Sequence, residues 1–122
     1  MRQVNMIIIE DNEDDLLLMN MTLEDAGYEP SYICVQDPAE FKEALQDSKW
    51  QLVISDHRLP TFSAPAALEL LKESGRNLPL IIVSGTIDEK LAAKLIANGA
   101  EAYIDKWDLK HLPSAVERAL AH

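Results

Sequence analysis

Cysteine is almost absent from the chain: Cys34 is alone among 122 residues. One thiol makes no internal disulfide and builds no cysteine-based zinc site. It falls in an apolar stretch, where packing rather than reactivity is expected. Cationic side chains are also scarce, with 11 Lys and Arg against 21 Asp and Glu and a net charge of −10. That charge repels a nucleic-acid duplex and attracts cations, so no direct nucleic-acid partner is expected. No apolar run approaches a membrane span, which argues against a membrane role. Met1 to Asn5 lack the apolar segment and small-residue cleavage site of a signal peptide, so a cytoplasmic location is expected. Linkers, low-complexity tracts and repeat arrays are missing too. What remains is 48% hydrophobic and 26% charged, the balance of an ordinary globular protein of one domain.

The apolar residues fall into alternating patterns. Val4 to Ile9 reads as a strand, and Leu16, Met19, Leu23 and Ala26 follow at helical spacing up to Gly27. Tyr28 to Val35 is a second, less apolar strand, expected at a sheet edge. Asp37-Pro38 supplies an N-cap and a first-turn proline for a helix burying Phe41, Ala44 and Leu45. Leu52 to Ser55 is apolar enough to be a strand buried on both faces. Pro65 starts a third helix, with Leu68 and Leu71 inward and a stop near Gly75. Leu78 to Ser84 is a fourth strand, and Gly85-Thr86 a turn. Asp88 caps a helix with Ala92, Leu95 and Ile96 inward, ending at Gly99. Ala102 to Ile104 is a fifth strand. A last helix, with Pro113 in its first turn, carries Leu112, Ala115, Val116, Ala119 and Leu120 on one face. Five β-α units predict an α/β fold: a five-stranded parallel sheet in order 2-1-3-4-5 with helices on both faces, flavodoxin-like.

In such a sheet every strand ends on one edge, where ligands bind. The residues after the central strands are Glu10 and Asp11, then Asp56, then Ser84, then Asp105 and Lys106. Carboxylates so gathered repel one another unless a cation intervenes. Oxygen donors without a nearby His or Cys suit magnesium, or manganese, rather than zinc. A carboxylate is also a nucleophile able to form an aspartyl phosphate. Each residue has a plainer reading: Asp56 opening a turn, Glu10 to Asp15 favouring a helix N-terminus, Lys106 pairing with Asp105 or Asp108, Ser84 satisfying a turn. Their joint arrival at one edge is what points to chemistry.

Together Glu10-Asp11, Asp56-His57-Arg58-Leu59-Pro60, Val83-Ser84-Gly85 and Lys106 resemble, in order and spacing, the landmarks of response regulator receiver domains of two-component signalling. The resemblance spans essentially the whole chain and implies a single receiver domain over residues 1–122. It implies that Asp56 accepts a phosphoryl group from a histidine kinase or histidine phosphotransfer protein. Glu10, Asp11, Asp56 and the backbone carbonyl of Arg58 would hold Mg²⁺, with Mn²⁺ as the alternative. Ser84 would hydrogen-bond the phosphoryl group, Lys106 would pair with it, and Tyr103 matches the aromatic switch position. The fourth helix, fifth strand and fifth helix would form the responsive face. The implied output is a downstream protein partner or a fused output domain, and the implied state a monomer or a weak, phosphorylation-dependent dimer. Such a switch is no enzyme in the ordinary sense, since it catalyses only its own phosphorylation and dephosphorylation.

The chain departs from the family pattern in three places. Ala64, followed by Pro65, stands where a glycine is common; Trp107 stands where proline often follows the lysine; Glu10 replaces the commoner Asp. Two other functions compete. A magnesium-dependent phosphohydrolase with an Asp nucleophile often has a second Asp two residues on, where this chain has Arg58. A docking module that no longer accepts phosphoryl would not need the full set of landmarks. Trp107 is either packed over the first turn of the last helix or held exposed as an anchor for a partner.

Overall fold

The computed structural model describes residues 2–56, 62–85 and 89–121. Its sheet has five parallel strands: β1 (Arg2–Ile9), β2 (Tyr28–Val35), β3 (Leu52–Ser55), β4 (Leu80–Ser84) and β5 (Ala102–Asp105). Their spatial order is β2-β1-β3-β4-β5, the order expected. The less apolar β2 lies at one edge and pairs with β1, from Arg2 opposite Tyr28 to Ile9 opposite Val35. β1 pairs on its other side with β3, so that Ile9 lies opposite Ser55. Ser84 of β4 lies opposite Asp105 of β5. The two registers bring the residues after these strands to one edge.

Alternation along the strands splits the core into two layers. Ile7, Ile9, Val53, Leu80 and Ile82 face α2 (Pro38–Ala44), α3 (Ala64–Ser74) and α4 (Glu89–Ala97), and meet Phe41, Leu68, Leu71 and Leu95. Trp50, 7% exposed, closes this layer. Met6, Ile8, Leu52, Ile54, Ile81 and Val83 face α1 (Glu13–Asp25) and α5 (Leu112–Leu120), and meet Met19, Leu23, Leu112 and Val116.

The helix ends follow their local chemistry. Asp37 and Ser63 accept backbone N–H bonds as N-caps of α2 and α3, and Pro38 and Pro65 occupy their first turns. Gly75 ends α3 at φ 74°, a left-handed conformation that favours glycine. Arg76 next to it reaches across to α2, donating from Nη1 to the carbonyl of Leu45 and from Nη2 to that of Asp47 at 3.3 Å.

Several boundaries and one burial differ from expectation. β1 starts at Arg2 and β5 runs on to Asp105. β4 starts at Leu80, because Pro79 has no N–H; its carbonyl accepts from Val53 N at 2.9 Å. α1 starts three residues before Leu16, and Ala26 ends it as an exposed C-cap. A short 3₁₀ turn, Leu109–His111, leads into α5. Ile96, expected inward, is 46% exposed. The buried stripe of α4 runs through Ala92 and Leu95 with Leu91 packed beside it, and Ile96 lies a further 100° round the helix. The expectations for His57, Arg58, Pro60, Thr86 and Asp88 fall outside the described residues.

Candidate functional site

Asp56 leaves β3 with its backbone N–H donating to the carbonyl of Ile9 at 3.0 Å, and it stays buried at 8% exposed. Glu10 leaves β1 and is more deeply buried, at 2%. Glu10 Oε1 accepts from the backbone N–H groups of Asp11 and Asn12, at 3.0 and 3.1 Å. Its carboxylate is thereby folded back on its own loop. The thiol of Cys34 donates to the Glu10 carbonyl at 3.0 Å, which ties the end of β2 to the same loop.

Lys106 completes the centre. It follows β5, its backbone N–H donates to the carbonyl of Ser84 at 3.2 Å, and its side chain runs into the cleft. Nζ stands 2.8 Å from Asp15 Oδ2, 3.0 Å from Asp56 Oδ2 and 3.5 Å from Glu10 Oε2. The surface pairing with Asp105 or Asp108 is therefore not what Lys106 does. Asp105 instead accepts from Trp107 N at 2.9 Å, while Asp108 has Lys110 and His111 beside it.

The electrostatics follow from this packing. Burial, reinforced by the charge of Asp56, pushes the Glu10 carboxyl up to about 7, although Lys106 and the N–H groups of Asn12 and Asp11 pull the other way. Burial alone would lower the Lys106 ammonium, but hydrogen bonds to Asp15 and Asp56 and the charges of Glu10 and Asp56 outweigh it. The net direction for Lys106 is up. Among the described residues, three carboxylates around one ammonium leave two formal negative charges in a small, mostly buried volume. The donors are all oxygens and all turn to the ammonium; among the described residues no three His, Cys, Asp or Glu side chains form a group that could hold a metal ion.

A cleft of about 280 Å³ opens over this centre, lined by Asn12, Asp15, Asp56, Ser84, Gly85, Lys106 and Trp107. Of the residues singled out in the sequence, Glu10, Asp56 and Lys106 meet directly, and Ser84 lines the same cleft. Asp11 is exposed and lines an adjoining hollow with Glu10, Asn12 and Cys34. Tyr103, half-buried on β5, donates its hydroxyl to the carbonyl of Ser84 at 3.2 Å. Burial, then the charge of Asp105, raises that phenol. Trp107 is 81% exposed, so it gives little cover to the start of α5. Its indole stands over Gly85, where a Cβ would meet Nε1 at 2.7 Å.

Asp15 and Asn12 belong to this centre, and pattern reading did not single them out. Asn12 caps α1, accepting from Asp15 N at 3.1 Å, which fixes Asp15 in the first turn. In a run of six residues from Glu10 to Asp15 that are acidic apart from Asn12, the one signal was helical phase: Asp15 lies one residue before the half-buried Leu16.

A family model described as "Response regulator receiver domain" matches residues 6–117. The DNA-binding transcriptional regulator NtrC of Escherichia coli (strain K12) is 28% identical over 116 residues, which are 94% of this chain and 24% of that protein. The C4-dicarboxylate transport transcriptional regulatory protein DctD of Pseudomonas aeruginosa is 28% identical over 120 residues, 97% of this chain and 25% of that protein. The chain thus spans about a quarter of the length of these curated relatives. Among solved structures, the response regulator domain of Thermotoga maritima CheB has a TM-score of 0.82 at 16% identity, covering 99% of this chain and 98% of that one. The receiver domain of the sensor histidine kinase PA1611 of Pseudomonas aeruginosa PAO1, with a magnesium ion coordinated in its active-site cleft, has a TM-score of 0.77 at 19% identity. It covers 98% of this chain and 99% of that one. At these identities the structural likenesses speak for the fold.

Proposed function

The chain belongs to the response regulator receiver domains, and from that premise we propose that Asp56 is its phosphoacceptor. The observation that carries the reading is Lys106 Nζ at 3.0 Å from Asp56 Oδ2 in a cleft that Ser84 also lines. A carboxylate oxygen of Asp56 attacks the phosphorus of a phosphohistidine on a histidine kinase or phosphotransfer protein. The new P–O bond forms as the P–N bond breaks, and the electron pair leaves with the imidazole, which is protonated from solvent. Lys106 then pairs with a phosphoryl oxygen, and the Ser84 hydroxyl donates to another.

Glu10, Asp11, Asp56 and the backbone carbonyl of Arg58 are the residues that would hold Mg²⁺ or Mn²⁺. Bound there, the cation would neutralise charge developing on the phosphoryl oxygens. The surplus negative charge around Lys106 supports a cation close by, as does the magnesium in the cleft of the PA1611 receiver domain. Ser84 passes the event on. Its carbonyl already accepts from the Tyr103 hydroxyl, so a phosphoryl group that draws Ser84 inward changes what holds Tyr103. Output goes through a downstream partner or a fused domain, in a cytoplasmic protein that is monomeric or a weak, phosphorylation-dependent dimer. The chain acts only on itself and turns over no external phosphomonoester.

The test is labelling with acetyl phosphate followed by intact-mass measurement. Wild type should gain one phosphoryl group in Mg²⁺ or Mn²⁺ and none in excess EDTA, and Asp56→Asn should gain none. Undiminished, acid-stable phosphorylation of Asp56→Asn would remove Asp56 from the role. Wild-type rates in EDTA would remove the metal.

A further inference from the structure

We propose that Asp15 is a second seat for the Lys106 ammonium and brakes phosphoryl uptake at Asp56. This rests on the reading of Asp56 as acceptor. Lys106 Nζ lies closer to Asp15 Oδ2, at 2.8 Å, than to Asp56 Oδ2, at 3.0 Å. An ammonium has three N–H donors, and three carboxylates already stand around this one. A phosphoryl group on Asp56 would bring three strong acceptor oxygens to the same ammonium. Lysine must then leave or share a partner.

The partners differ in what they keep. Glu10 retains two backbone N–H donors on Oε1 whether or not Lys106 stays. Asp15 has no such reserve: Lys106 is the one partner of its carboxylate among the described residues. Nor does Asp15 follow Lys106 as it moves. Its backbone is fixed in the first turn of α1 by the Asn12 cap, and its side chain, 19% exposed, faces the cleft. When Lys106 turns to the phosphoryl group, Asp15 is left as a bare negative charge beside a second one. That repulsion opposes the phosphorylated state. Asn at position 15 keeps the size and an acceptor oxygen but removes the charge.

The experiment uses the purified chain at saturating Mg²⁺, with beryllium fluoride as the phosphoryl analogue and acetyl phosphate as the donor. Asp15→Asn should bind beryllium fluoride about fivefold more tightly than wild type and label faster by a similar factor, because like charge at close range disfavours binding. Asp15→Ala, which also removes the charge, should show the same gain. Asp15→Glu should return towards wild type. Asp14→Asn makes the same charge change in the same helical turn, outside the cleft, and should match wild type. The brake is overturned if Asp15→Asn and Asp14→Asn behave alike, or if Asp15→Asn binds more weakly. If folded wild type neither binds nor labels, the acceptor reading falls and the brake falls with it.

Discussion

Glu10 holds a carboxyl group at 2% exposure, with its pKa raised to about 7 from an ordinary 4.5 by burial and by Asp56. Between those two values the folded chain binds more protons at this site than the unfolded chain. Its contribution to stability is therefore complete below about pH 4.5 and is lost as pH rises through 7. Metal-free protein in EDTA should lose on the order of 3 kcal/mol from this group across that window. Glu10→Gln should flatten the profile, and urea melts at pH 5, 6, 7 and 8 would show whether it does. Glu10, Asp56, Ser84 and Lys106 were legible in the sequence for one reason: each stands at or just after the end of a strand, and strand ends share an edge. Asp15 was not. It lies on a helix, 91 positions from Lys106, among acids that looked like ordinary first-turn residues. Only the reach of the lysine side chain brings the two together.

At the scale of elements, what the sequence made plain was periodicity, and what it hid was phase. The apolar stripe of α4 reads as helical, but apolar residues at i, i+3 and i+4 suit either of two adjacent faces, and pattern alone gives Ile96 to the inward one. The structure puts Leu91, Ala92 and Leu95 on the buried side. The 3₁₀ turn at Leu109–His111 was likewise hidden, since three residues carry no period. Arg76 shows a bond between elements that no local pattern announces. Its guanidinium serves two carbonyls beyond the end of α2 from just past the end of α3. Removing a charged donor from a partly buried carbonyl costs about 1–2 kcal/mol. Arg76→Ala should lower stability by that amount in urea denaturation. Arg76→Lys should recover only part of it, because an ammonium lacks the fork that spans both oxygens. Acetyl phosphate labelling of either variant should match wild type, since the contact lies away from the cleft.

Across the whole molecule, the order of the sheet does the positioning. Because β1 and β3 are neighbours in space, Glu10 and Asp56 meet across 46 positions of sequence; because β5 lies two places from β3, a lysine rather than a shorter residue is needed to bridge the gap. The same architecture sets its two tryptophans apart. Trp50 is sealed in one core layer at 7% exposure, and Trp107 stands over Gly85 at the mouth of the cleft at 81%. The chain therefore carries two optical probes with opposite surroundings. Emission from Trp50 should lie to the blue and resist a collisional quencher such as iodide, while that from Trp107 should lie to the red and be quenched freely. Mg²⁺ with beryllium fluoride should change only the red, quenchable component, and Trp107→Phe should abolish the change although Trp50 remains. Occupancy of the cleft can then be followed in unlabelled protein, with the buried indole as the internal standard for the exposed one.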